Sequence, residues 1–153
     1  MSKGFLFLCF CIFGSFLLEG SEKLEEEAYY FQGKHFIASY TGCDQKKLSD
    51  VESLQAVMMN AAKECGATIL DSIHYVFPGN GLTMAILLSE SHASIHTYPE
   101  HSSCFVDLFT CGDNCSYEKF DAILRAYLTP KEMNQKVLIR HQGIEESASI
   151  CLK

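Results

Sequence analysis

From Lys34 onward the apolar and polar positions of the chain follow two rhythms that trade places. In "KHFIASYTGCD" the period is two. Phe36, Ala38 and Tyr40 share one face and Ile37 and Ser39 the other, which predicts a strand ended by Gly42. In "LSDVESLQAVMMNAAKECG" the rhythm lengthens to that of a helix, with Leu48, Val51, Leu54, Met58 and Ala61 on one stripe. Ser49 followed by Glu52 forms a capping box, and Gly66 stands where a left-handed residue ends the helix. "ATILDSIHYVF" and "LTMAILLS" predict a second and a third strand around a "PGNG" turn, and "CFVDLFTC" a fourth. The fourth does not settle its own phase; one choice sets Phe105 and Phe109 opposite Asp107. "SYEKFDAILRAYL" is a second amphipathic helix, with Phe120, Ile123, Leu124 and Tyr127 inward and Pro130 closing it. "QKVLIRH" predicts the last strand, and "GIEESASICLK" a loose tail.

The resulting order, β-α-β-β-β-α-β, predicts an α+β fold. Specifically, it is a two-layer α/β sandwich with helices on one face of a mostly antiparallel sheet. The polar stretch "SESHASIHTYPE", Ser89 to Glu100, is expected as the connection between the third and fourth strands. It carries more hydroxyls, imidazoles and carboxylates than a connection requires.

Composition narrows the picture. A chain of 153 residues fits one domain with a sizeable core. Its formal charge of -7 and the lack of any Lys/Arg cluster argue against nucleic acid as a partner. The N-terminus stands apart: "MSKGFLFLCFCIFGSFLLEG" has one lysine and then an apolar run from Gly4 to Leu18. That run is short for a spanning helix and suits a secretory h-region, although a small-x-small cleavage site is missing. The chain therefore divides into a hydrophobic leader, residues 1–20, signal-like or an anchor, and an acidic linker, residues 21–33. The domain follows at residues 34–141, and the tail is residues 142–153.

Eight cysteines raise the question of a disulfide framework. Cys9 and Cys11 lie in the leader. Cys43, Cys65, Cys104, Cys111, Cys115 and Cys151 lie among elements able to form an ordinary core, whereas disulfide scaffolds are loop-rich, so free thiols are expected.

Taken alone, the residues leave several chemistries open. The polar stretch could be plain surface. His92, His96, Cys111 and Cys115 have tolerable spacings for a zinc-binding domain without enzymatic activity. A serine hydrolase lacks its G-x-S-x-G elbow. A thiol nucleophile could pair Cys111 with a histidine.

Three blocks then carry a resemblance: "GKHFIASYTGCD", "AAKECGATIL", and above all "SESHASIHTYPE" with "VDLFTCGD". From Lys34 to Arg140 the chain resembles the prokaryotic S-adenosylmethionine decarboxylase proenzymes, which depend on a self-derived pyruvoyl group. The resemblance implies autocatalytic cleavage between Glu90 and Ser91. The Ser91 hydroxyl attacks the preceding carbonyl to give an ester, β-elimination releases the upstream chain, and loss of ammonia leaves a pyruvoyl cap. It further implies His96 as the proton acceptor in processing and Thr83 at a position usually held by serine, where a threonine keeps the hydroxyl but stiffens χ1. By the same resemblance, the pyruvoyl ketone of the mature enzyme is expected to form a Schiff base with S-adenosylmethionine, and Cys111 to donate the proton that replaces the carboxylate. Glu100 matches the carboxylate expected to hold the ribose hydroxyls, and Phe77 is a candidate for stacking on adenine. The product is the aminopropyl donor for spermidine biosynthesis. The resemblance also implies a homodimer of cleaved two-chain protomers, no metal, and a catalytic domain in the cytoplasm. The leader lies outside it and leaves membrane tethering open.

Overall fold

The computed structural model describes residues 31–141 and, by their backbone, the short segments Ile144–Glu146 and Ile150–Leu152. The leader, nearly all of the linker and the side chain of Cys151 lie outside the described residues, as do the expectations attached to them.

The first strand, β1 (Gly33–Thr41), buries Phe36, Ala38 and Tyr40, as its alternation predicts. The helix that follows differs from expectation. Asp44 caps a short helix α1 (Gln45–Ser49) by accepting from the Lys46 and Lys47 amides, and Asp50 then caps α2 (Val51–Glu64) by accepting from the Ser53 amide. Ser49 is thus not an N-cap; its hydroxyl donates back to the Gln45 carbonyl. The carboxylate one residue later out-competes it for the orphan amides. The apolar stripe survives the break: Leu48, Leu54, Met58 and Ala61 are all buried. Gly66 adopts φ +98 at the end of α2, where a Cβ would lie 2.5 Å from the Asn114 carbonyl oxygen.

Next come β2 (Ile69–Val76), β3 (Leu82–Leu88), β4 (Ser91–Tyr98), a single 3-10 turn (Pro99–His101) and β5 (Ser103–Thr110). The polar stretch expected as a connection is mostly strand β4. Ala93, Ile95 and Thr97 are buried toward the helices, while His92, Ser94 and His96 point the other way. Each polar residue sits between two inward neighbours, so the period of two was present but hidden by its chemistry. In β5 the buried residues are Cys104, Val106, Leu108 and Thr110, so Phe105, Asp107 and Phe109 share the opposite face rather than opposing one another.

Helix α3 (Tyr117–Leu128) is capped by Ser116 and ends at Thr129, whose left-handed backbone precedes Pro130. Strand β6 (Glu132–Arg140) follows. The tail expected to be loose returns as β7 (Ile144–Glu146) and β8 (Ile150–Leu152), both paired with β6.

The long strands run in the order β2-β3-β4-β5-β1-β6, antiparallel throughout. All three helices lie against one face, over Phe36, Tyr40, Met84, Ile86, Ile95 and Leu108. Tyr40 and Asp121 tie the layers together: the buried phenol donates to the carboxylate of α3, which also meets Arg125 at 3.2 Å. The two-layer α+β sandwich is therefore present, with one face of the sheet left uncovered by the described residues. Ile73, Tyr75, Leu87 and Phe105 stand on that face, each more than half exposed.

Candidate active site

The hairpin between β3 and β4 turns in two residues, Ser89 and Glu90, with Leu88 opposite Ser91. It is pinned to the chain before β2: the Ser89 amide donates to the Thr68 carbonyl at 2.9 Å, and the Thr68 amide donates to the Glu90 carboxylate at 3.0 Å. The Ser89 hydroxyl and that amide hold the Glu90 carboxyl below the usual carboxylate range. Directly after this pinned turn, Ser91 adopts φ +154, a region a serine seldom occupies. The strain falls on one peptide, Glu90–Ser91.

Two groups flank that peptide. The Cys111 amide donates to the Glu90 carbonyl at 3.1 Å, so a fixed dipole already points at the oxygen where charge would build if the carbonyl were attacked. The Ser91 hydroxyl lies 3.1 Å from His92 Nδ1. The Cys111 thiol is exposed beside Gly33, where a Cβ would come within 3.2 Å of Sγ and 2.5 Å of the Phe109 ring. Thr110, buried, accepts from the Gly112 amide at 3.0 Å and shapes the turn that presents Cys111. Glu90, Ser91 and Cys111 are thus gathered at one rim of the sheet.

The remaining residues expected at the site form a second group. Thr83 and His96 share a hydrogen bond across β3 and β4, and Phe77 packs against the His96 ring at 5.8 Å. Tyr98 also meets that ring, tilted against it at 4.6 Å, and Glu100 follows on the 3-10 turn. His96 is five residues from Ser91 on a single strand, so about 16 Å separates them at about 3.3 Å per residue. Within one chain they do not meet.

The zinc set does not assemble either. His92 and His96 are about 13 Å apart by the same spacing, and Cys115 lies behind the sheet with its sulfur 3.2 Å from that of Cys65. Among the described residues the histidines and acids that do converge are His35, His92 and Asp107. Sequence reading missed His35 and Asp107. Their signal was a polar residue at an outward position in each of two otherwise apolar strands. The described cysteines, Cys43, Cys65, Cys104, Cys111 and Cys115, are thiols, with Cys43 and Cys104 forming a second buried pair alongside Cys65 and Cys115. No described helix is long and apolar enough to cross a membrane.

Fold and site define a class: a two-layer α+β sandwich that presents a strained serine peptide and a thiol at one sheet rim. A model of the S-adenosylmethionine decarboxylase family matches residues 34–141. The S-adenosylmethionine decarboxylase proenzyme of Pelotomaculum thermopropionicum is 37% identical over 114 residues, covering 69% of this chain and 88% of that protein. The proenzyme of Aquifex aeolicus is 38% identical over 118 residues, covering 76% and 85%. The crystal structure of the Aquifex aeolicus adenosylmethionine decarboxylase superposes with a TM-score of 0.69 at 34% identity, over 78% of this chain and 98% of that one. The Trypanosoma brucei AdoMetDC monomer, at 14% identity and TM-score 0.50, shares the fold over 45% of its length. The chain belongs to the S-adenosylmethionine decarboxylase family, whose members are carboxy-lyases.

Proposed function

We propose that this chain is a self-processing, pyruvoyl-dependent decarboxylase of S-adenosylmethionine, and that each of its active sites is built from two copies. The observation that carries the first part is the Glu90–Ser91 peptide: strained at φ +154, flanked by the serine's own hydroxyl partner, and with its carbonyl held by the Cys111 amide. These residues fit a pyruvoyl group, because a serine at a cut peptide is its only required precursor and Cys111 stands beside it. Once formed, that group supplies an electron sink for loss of carbon dioxide from an amine-bearing substrate. The chain's residues do the rest. Cys111 delivers a proton to the substrate carbon, which requires a free thiol and hence a reducing compartment such as the cytoplasm. Glu100 holds the ribose hydroxyls and Phe77 the adenine. The decarboxylated product serves as the aminopropyl donor for spermidine.

The second part rests on the separation of Ser91 from His96. The sheet face that the described residues leave uncovered carries Ile73, Tyr75, Leu87 and Phe105, an apolar set that supports an interface between two copies. A two-fold axis through this face near Ser94 would place the Ser91 end of one β4 over the His96 end of its partner. Glu90, Ser91 and Cys111 of one chain would then complete a site with Thr83, His96, Phe77 and Glu100 of the other.

Mass spectrometry of the purified protein tests the reading. Two chains are expected, divided after Glu90, the downstream one lacking an N-terminal amine. Ser91→Ala should leave one folded chain without decarboxylase activity. Cys111→Ala should still divide but release carbon dioxide slowly. An undivided wild-type chain with a free amine and full turnover would refute it.

A further inference from the structure

We propose that His92, aligned by Asp107, is the base that takes the Ser91 hydroxyl proton in the first step of self-cleavage, and that His96 serves a later one. The inference rests on the self-processing reading above. Its ground is the geometry within one chain. Ser91 Oγ lies 3.1 Å from His92 Nδ1, whereas His96 is five residues further along the same strand. The other nitrogen of the His92 ring, Nε2, faces the Asp107 carboxylate at 3.7 Å. A carboxylate there favours the tautomer with its proton on Nε2, which leaves the Nδ1 lone pair toward the serine hydroxyl. It also stabilises the imidazolium once the proton has arrived. Asp107 is itself held by a hydrogen bond from the Ser94 hydroxyl. His35 Nε2 lies 3.8 Å from the same carboxylate and has no hydrogen-bond partner among the described residues. Burial pushes His35 below its ordinary value of 6.5, with Asp107 opposing, which leaves the carboxylate charge available to His92.

The step balances without a co-reactant. The Ser91 proton passes to His92 Nδ1 as Oγ bonds to the Glu90 carbonyl carbon. The resulting oxyanion accepts from the Cys111 amide, whose N–H already sits 3.1 Å from that oxygen. The bond from that carbon to the Ser91 nitrogen then breaks, and the nitrogen takes the proton back from His92. An amide has become an ester, with no net proton gained or lost.

Uncleaved precursor of the full chain, prepared as wild type, Ser91→Ala, His92→Ala, His92→Gln and Asp107→Asn, would be followed on denaturing gels with and without hydroxylamine, which cuts esters. His92→Ala and His92→Gln are expected to slow division about 100-fold. Hydroxylamine should release no fragment from either, because the ester is never reached. Added imidazole should restore part of the rate to His92→Ala, a response that a packing role does not give. Asp107→Asn should slow division less, with Ser94 left in place. Any of four results overturns the assignment: division of His92→Ala at the wild-type rate, accumulation of a hydroxylamine-labile ester in it, slow division that imidazole leaves unchanged, or division abolished by chelators and restored by zinc, which would make His35, His92 and Asp107 a metal site. If the wild type itself stays whole, the self-processing reading fails. If the wild type divides and His92→Ala divides equally well, only the base assignment falls.

Discussion

Two variants that are each inert should repair one another when they share a dimer. On the two-copy reading proposed above, Ser91→Ala lacks the nucleophile and His96→Ala lacks the imidazole, which lies about 16 Å along β4 at about 3.3 Å per residue and would come from the partner. Neither homodimer contains a complete site. In a mixed dimer the site that combines Ser91 of the His96→Ala chain with His96 of the Ser91→Ala chain is whole, and the other lacks both groups. Random pairing makes half the dimers mixed, so about a quarter of all chains should divide, and every divided chain should carry His96→Ala. Co-expression with two different tags, followed by denaturing gels and mass spectrometry, counts the divided chains and shows which variant they are. A His96→Ala homodimer that divides at the wild-type rate would refute the shared site, as would a purified mixed dimer in which nothing divides.

Three further outcomes follow from the packing. Tyr40→Phe removes the buried donor to Asp121, and because hydrogen bonds to charged groups contribute about 1.5–3 kcal/mol, urea unfolding should show a loss of that size. Gly66→Ala forces a side chain into φ +98 and against the Asn114 carbonyl; melting should show a cost of about 1–3 kcal/mol, with self-cleavage retained. The thiol pair makes stability depend on pH. The Cys65 hydrogen bond holds Cys115 down to about 7, against an ordinary 9.0, while Cys115 and burial push Cys65 up. Between those two values the unfolded pair binds more protons than the folded pair, so the urea midpoint should rise with pH. Above the ordinary value the retained Cys65 proton reverses the slope. Cys115→Ser should flatten the rise, and an unchanged profile would disprove the coupling.

The outline of the fold was legible because β1 alternates cleanly and α2 and α3 each carry one apolar stripe. Phe36, Ala38 and Tyr40 in β1 and Phe120 and Leu124 in α3 are buried where the pattern puts them. Strand β4 was not legible by pattern, since its outward positions hold histidine and serine beside an inward threonine, and such a mixture reads as a connection. The cap of α2 was misplaced because Ser49, Asp50 and Asp44 are all good cap residues, and only the chain's path decides among them. At the site, the resemblance singled out Ser91 and Cys111, and the pairing of β4 with β5 brings them to one rim. The resemblance could not reveal that His96 lies at the far end of the same strand, because spacing in sequence does not say that β4 is extended. His35 and Asp107 were invisible for a related reason: only the register of β1, β4 and β5 brings them beside His92.

Strand β1 lies between β5 and β6, and β3 lies beside β4. Severing the backbone after Glu90 therefore gives two interleaved pieces, with β1 of the first inserted into the second and a further seam where β3 meets β4. Three ladders would have to unzip before the halves could part. The nick should thus be silent in gel filtration, and the protein should tolerate losing its covalent continuity without losing its shape.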